Sequence, residues 1–292
     1  MIDFGTVATA MVTPFDREGN IDFAKTTELV DYLIEHGTTA LVVCGTTGES
    51  PTLTTDEKIA LFQHVVSTAN GRVPVIAGTG SNNTRASIEL TKKAEETGVD
   101  AVMLVVPYYN KPSQEGMYQH FSTIANSTPL PVIVYNIPGR TVVRLSVETI
   151  VRLSHIENIV ALKDATGDVL SMTEIIEQTN DTFAVYSGDD GLTLPALAVG
   201  ANGVISVAAH IIGNEMQEMI SAFYAGDYKK AQNLHQLLLR VTKAVFMAPN
   251  PTAVKAALAI NGLDVGSVRL PLIPLTNEEQ TRLQQVMNTI QK

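Results

Sequence analysis

Lys163 is the residue whose setting most suggests chemistry. It ends the apolar run Ile159-Val160-Ala161-Leu162 and precedes Asp164. In an extended segment, strict alternation puts Ile159, Ala161 and Lys163 on one face. If that face is buried, desolvation disfavours the ammonium and lowers its pKa, so that free amine exists near neutrality. A neutral amine adds to a carbonyl, which is the first step of catalysis through an imine. The plainer reading is a segment that stops early, with Lys163 at the surface beside Asp164. Structural lysines near strand ends are common.

Other positions could complete a site around that amine, and each has a plainer reading too. Tyr135 ends another apolar run. A phenol there could pass protons during carbinolamine collapse and bond a substrate oxygen, or it could simply be a core aromatic with a satisfied hydroxyl. Thr46 and Thr47 lie in the Gly-flanked turn Gly45-Thr46-Thr47-Gly48. Its N–H groups and hydroxyls could cradle a carboxylate, or the turn could be a helix cap leading to Ser50. Arg140 follows Pro138-Gly139, and its planar fork suits a carboxylate, although a solvated loop arginine is the commoner case. Tyr108-Tyr109-Asn110 could line a pocket or pack on another subunit, because an exposed aromatic pair is unfavourable without a partner. The carboxylates of Ser187-Gly188-Asp189-Asp190 read as a helix start in preference to an acid/base pair or a Mg²⁺ site.

Several chemistries are disfavoured. Gly78-Thr79-Gly80-Ser81-Asn82-Asn83 lacks the third glycine of a dinucleotide fingerprint, and there is neither a Gly-Lys-Ser/Thr phosphate loop nor a Gly-x-Ser-x-Gly elbow. The six histidines show no metal-ligand spacing. Cys44, the only cysteine, follows Leu41-Val42-Val43 and reads as a buried thiol in a reducing compartment. The formal net charge is −10 with no block of like charges, so nucleic acid and anionic membranes are not expected partners. Apolar runs such as 101–106 fall far short of the roughly 18 residues of a membrane span. The first basic residue is Arg17, so no secretory leader is expected, and a cytoplasmic location is.

The elements that must position these residues are legible as an alternation. Apolar runs at 6–13, 40–45, 74–80, 101–107, 131–136, 159–163, 183–188 and 203–208 are rich in Val, Ile and Ala. They are nearly continuous, as in parallel strands covered on both faces. Between them lie amphipathic stretches with start signals at Thr54-Thr55-Asp56-Glu57, Asn83-Thr84, Ser146-Val147-Glu148 and Gly167-Asp168, and Gly37 closes an earlier helix, the first of the chain. This predicts an α/β fold, a closed (β/α)₈ TIM barrel, with an open doubly wound sheet as the alternative. Residues 1–225 would form the barrel. Residues 226–292 would form a C-terminal helical appendage, with helices at 228–246, 252–261 and 277–291 after a barrel helix at 214–224. In such a barrel the strand C-termini and following loops face the substrate. The candidate residues sit at just those ends, with Tyr135 on the strand beside Lys163.

The combination of Gly45-Thr46-Thr47-Gly48-Glu49, Tyr135-Asn136-Ile137-Pro138 and Leu162-Lys163-Asp164 resembles the pyruvate-dependent class I aldolases of the dihydrodipicolinate synthase/N-acetylneuraminate lyase family. The resemblance covers essentially the whole chain. It is strongest to the dihydrodipicolinate synthase branch. Sialic-acid lyases usually carry Gly-Ser-Thr-Gly-Glu in the first motif, and here Tyr109 stands in Pro107-Tyr108-Tyr109-Asn110-Lys111-Pro112 and Arg140-Thr141 follows the Asn-Ile-Pro turn.

The resemblance implies a Schiff base between Lys163 and pyruvate, with Thr47 and loop N–H groups on the pyruvate carboxylate. Tyr135, Thr46 and Tyr109 would relay protons, Tyr109 coming from the adjacent subunit of a dimer. Arg140 would hold the carboxylate of L-aspartate 4-semialdehyde, and Gly188 and Ile205 would contribute backbone carbonyls near the lysine. The implied product is 4-hydroxy-tetrahydrodipicolinate, in lysine/diaminopimelate biosynthesis. The enzyme would need no metal or organic cofactor and would be a homo-oligomer, either a dimer or a tetramer built as a dimer of dimers. Lysine-inhibited members carry histidines and an acidic residue in an interface cleft. The matching positions here are Thr55, Lys58 and Ala86, although Ser50, Asn82 and Tyr108 remain, so weak or absent feedback by lysine is expected. An N-acetylneuraminate lyase or 2-keto-3-deoxy-sugar-acid aldolase is the alternative within the family, and Arg140 argues against it. A catalytically silent binding barrel would be expected to have lost the lysine, a tyrosine or the arginine.

Overall fold

The computed structural model describes residues 3–289. Eight parallel strands close into a barrel in sequence order: β1 Val7–Ala10, β2 Ala40–Val43, β3 Val75–Gly78, β4 Ala101–Val105, β5 Val132–Asn136, β6 Ile159–Asp164, β7 Ala184–Ser187 and β8 Gly203–Ser206. Every apolar run read as a strand contains one. Five are a residue or two shorter than the run, mostly because the run's last residues turn into the loops above the barrel, while β6 extends one residue past its run.

The helices between them are α1 Phe23–Glu35, α2 Thr55–Ala69, α3 Thr84–Glu95, α4 Gln114–Ala125, α5 Pro138–Thr141, α6 Val147–Ser154, α7 Val169–Gln178, α8 Thr193–Ala198 and α9 Ala209–Tyr224. The start signals do what their chemistry allows. Thr54 and Glu57 form a reciprocal capping box, and Asn83, Ser146 and Asp168 each accept a first-turn N–H through their side chains. Helix α9 begins earlier than its pattern suggested and kinks at Ile212.

The core has two shells. Ala8, Ala40, Val42, Ile76, Met103, Ile133, Ala161 and Ile205 fill the barrel interior. A larger shell between strands and helices includes Phe62 and Phe121, both fully buried, and each such side chain contributes roughly 2–3 kcal/mol of transfer free energy. One sequence expectation fails here. Ile159 belongs to the outer shell, while Ala161 lies in the interior. The cause is a register shift: Val132 pairs with Ile159 and Ile133 with Ala161, so Val160 is an extra residue. A bulge of this kind breaks strict alternation and re-aims the strand end that carries Lys163.

Beyond the barrel, α10 Tyr228–Val245, α11 Thr252–Ile260 and α12 Asn277–Met287 pack on α9 and on one another. Their buried residues, among them Val241, Val254, Leu258 and Leu283, join the outer shell without a gap. Positions 290 and 291 of the expected last helix lie outside the described residues.

Candidate active site

The strand C-termini bring the sequence candidates to one mouth of the barrel. Lys163 pairs in register with Tyr135 on β5 and with Tyr186 on β7. It is 5% exposed, and its Nζ lies 4.2 Å from the centroid of the Tyr135 ring. Among the described residues no carboxylate is within ion-pair distance of it. Asp164, the possible surface partner, is buried on the opposite face, where its carboxylate accepts from Thr166 Oγ1 at 2.7 Å. Burial pushes the Lys163 ammonium down to about 8, with Asp190 pulling it up and Arg140 adding to the depression. The surface reading of Lys163 is thereby excluded.

Gly188, at the end of β7, makes room for that side chain. A Cβ there would sit 3.1 Å from Lys163 Cε and 2.8 Å from Ala165 Cβ, so any larger residue would displace the amine. Ile205 is buried on β8 in the same interior layer as Tyr135 and Tyr186. The Tyr135 phenol is pushed up to about 12 by burial, against the pull of Arg140 and the Thr46 hydroxyl. At neutral pH it is therefore a proton donor, able to return a proton to the same partner.

The turn after β2 has the geometry of an anion cradle. The N–H groups of Gly48, Glu49 and Ser50 close onto the carbonyls of Gly45 and Thr46. Those of Thr46 and Thr47 have no acceptor among the described residues. Thr47 is buried and its Oγ1 accepts from Asn250 Nδ2 at 2.9 Å. The non-glycine residues with left-handed backbone are Cys44, Glu49, Tyr109, Lys111, Val142 and Asn70. All but Asn70 lie in the segments that follow β2, β4 and β5, and such strain tends to be held at functional sites.

A cavity of about 250 Å³ opens here, lined by Thr46, Tyr135 and Arg140 and reaching to Ser50, Lys58 and Tyr108. Lys163 is not among its lining residues and lies against the Tyr135 ring. Arg140 rides on the single turn α5 and is exposed. Tyr109 does not reach this chain's cavity: it is 90% exposed, with φ of 73°. Cys44 is buried, and its thiol is pushed up to about 12 by burial, so it stays un-ionised. No group of His, Cys, Asp or Glu able to hold a metal ion occurs among the described residues, and no helix described is long and apolar enough to cross a membrane.

Two parts of the site were not foreseen from the sequence. Asp189 does cap a short helical turn, but Asp190 is not simply part of a helix start. Its buried carboxylate accepts from Ser206 Oγ and from the N–H groups of Val207 and Ala208, tying the β7 loop to the turn before α9. Asn250 also escaped notice, because it lies 203 positions from Thr47 in a segment that reads as a loop. A weak signal existed nearby: Lys255 is a single charge in the otherwise apolar stretch TAVKAALAI.

Comparison with known proteins agrees with this geometry. A model of the dihydrodipicolinate synthetase family matches residues 3–290. The chain is 61% identical over 290 residues to the 4-hydroxy-tetrahydrodipicolinate synthase of Bacillus subtilis, covering 99% of this chain and all of the relative. A crystal structure of dihydrodipicolinate synthase from Bacillus anthracis superposes with a TM-score of 0.98 at 75% identity, covering 99% of both chains. The lysine-bound enzyme from Cyanidioschyzon merolae has a TM-score of 0.96 at 46% identity, covering 98% of this chain and 97% of that one.

Proposed function

The chain belongs to the dihydrodipicolinate synthetase family, and from that premise we propose that it condenses pyruvate with L-aspartate 4-semialdehyde to give 4-hydroxy-tetrahydrodipicolinate. The observation that carries this reading is Lys163: a buried amine without a carboxylate partner, against the Tyr135 ring at the strand C-termini.

The free amine attacks C2 of pyruvate, and the carbonyl oxygen leaves as water once protonated, with Tyr135 as the donor. The Thr46 and Thr47 N–H groups and the Thr47 hydroxyl hold the pyruvate carboxylate, while the Thr46 hydroxyl passes protons between Tyr135 and Tyr109. The protonated imine withdraws electrons, so a methyl proton is lost to give an enamine. Its terminal carbon adds to the aldehyde of the semialdehyde, whose carboxylate is held by Arg140. The substrate's own amine then attacks the imine carbon and displaces Lys163, releasing the ring and the free enzyme. Gly188 and Ile205 act from the backbone beside the lysine. The imine supplies the electron sink, so no metal or organic cofactor is needed, and treatment with a chelator is expected to leave turnover unchanged.

Tyr109 completes the proton relay from a second copy of the chain, which its exposure supports. The assembly is a dimer or a dimer of dimers, working in the cytoplasm. Light scattering would count the copies. The cavity passes from Tyr135 to Ser50, Lys58 and Tyr108. With Lys58 in that recess, lysine is a weak inhibitor or none, and a micromolar inhibition constant would refute this.

The test of the function is direct. Borohydride added with pyruvate should fix a pyruvate-derived mass on the peptide bearing Lys163, and Lys163→Ala should lose it. Consumption of sialic acid in place of aspartate 4-semialdehyde would transfer the chain to the sister activity.

A further inference from the structure

The Thr46-Thr47 turn is clamped from outside the barrel. Glu49 follows it with φ of 55°, and its side chain is 1% exposed. One carboxylate oxygen lies 2.7 Å from Lys255 Nζ, and the other accepts the backbone N–H of Arg269 at 2.8 Å. Lys255, itself 2% exposed, also donates to the Ser267 carbonyl at 2.8 Å. One residue earlier in the turn, the Gly48 carbonyl accepts from Thr13 Oγ1 at 2.7 Å. Lys255 and Arg269 lie beyond α9, and the strands close without them.

A buried ion pair adds little to stability compared with apolar residues of the same volume. What this one fixes is conformation. A left-handed glutamate is strained, and it persists only where its surroundings over-determine it. Here the surroundings are one ammonium and one backbone N–H, both contributed by the C-terminal region. Only Gly48 separates the strained residue from the two threonines whose N–H groups are without acceptors among the described residues.

We infer that Glu49, locked by Lys255 and the Arg269 N–H, is a positioning residue that holds the Thr46 and Thr47 donors in place for the pyruvate carboxylate. The C-terminal helices are then a working part of the site. This rests on the proposed reading of that turn as the carboxylate cradle.

The test replaces the pair as a unit. Glu49→Gln/Lys255→Met is nearly isosteric and strands neither charge. The expected result is a folded enzyme whose KM for pyruvate rises about 10- to 100-fold, as for a displacement of about 1 Å at the cradle. The KM for aspartate 4-semialdehyde should change less than about threefold, and kcat less than about tenfold. Saturation of borohydride trapping at Lys163 should move to higher pyruvate by the same factor. Glu49→Asp, which keeps the charge and retracts the carboxylate by one methylene, should show the same selective rise and serves if the double variant does not fold. A lowered melting temperature with an unchanged ratio of the two KM values would mark the pair as merely structural and overturn the inference. Absence of the Lys163 adduct in the wild type would instead overturn the cradle reading itself, and the inference with it.

Discussion

Two lysines in this protein are buried to nearly the same degree and are set to opposite tasks. Lys163 ends β6 and Lys255 lies in α11. Each has its Nζ 4.2 Å from an aromatic centroid, Tyr135 in one case and Phe15 in the other. Burial pushes both down to about 8. They differ in their partners. Lys255 sits 2.7 Å from Glu49 and donates to a carbonyl, whereas Lys163 has no carboxylate in contact and feels only the more distant, opposed fields of Asp190 and Arg140. Desolvation makes an amine easier to deprotonate, whereas a carboxylate in contact favours the ammonium, which has no free lone pair with which to attack a carbonyl. The missing partner, more than the burial, distinguishes the nucleophile from the strut.

Exchanging each lysine for methionine breaks the comparison most sharply. Lys163→Met should lower turnover by about 10³-fold or more, because it removes the amine that forms the imine beside Tyr135. It should leave stability unchanged or improved, since an unpaired buried cation is replaced by a close-packed apolar chain. Lys255→Met should do the reverse. It strands the Glu49 carboxylate in the interior, which costs about 3–5 kcal/mol, and urea unfolding would read that loss. The molecules that remain folded should still form the imine. A stable Lys255→Met protein would mean that Glu49 finds another partner or takes up a proton, and the contrast would fail.

The two aromatic rings offer a finer probe. Tyr135→Phe gives the active lysine the kind of ring that the structural lysine already has. If the hydroxyl moves protons, kcat should fall about 10²-fold while borohydride trapping still reaches Lys163. An unchanged kcat would reduce Tyr135 to a packing residue.

The contrast between the lysines also marks how far the sequence could be read. Strands buried on both faces leave continuous apolar runs, and helix caps leave short polar signatures, so the barrel and the residues at its strand ends were legible. Lys163 was legible as a candidate because it closes an apolar run, and it gained weight only in company with Tyr135 and the Gly-Thr-Thr-Gly turn. Its exact aim was not, since the extra residue at Val160 depends on pairing with β5 and has no local signal. Lys255 and Asn250 were missed for the same reason on a larger scale. Their partners lie about two hundred positions away, and nothing in a helix or loop signature names a distant contact. Asp190 was taken for part of a helix start, and only the closed barrel brings its carboxylate to the β8 turn.

The smallest effect expected is a pH dependence in the stability difference between Lys163→Met and wild type. Burial lowers Lys163 from 10.5 to about 8. The unfolded chain keeps that amine protonated up to about 10.5, so between those limits it binds more protons than the folded state and stability rises with pH. The penalty for enclosing the cation is therefore full below pH 8 and is relieved as pH climbs through 8 toward 10.5. Lys163→Met should accordingly be more stable than wild type at about pH 7, and its advantage should shrink by about pH 9.5. Lys255→Met should be less stable than wild type at neutral pH, because the charge it strands is a carboxylate. Urea midpoints for the three proteins at both pH values would show the opposed signs. A Lys163→Met advantage that stayed constant with pH would mean that packing, and not an unpartnered cation, distinguishes the two sites.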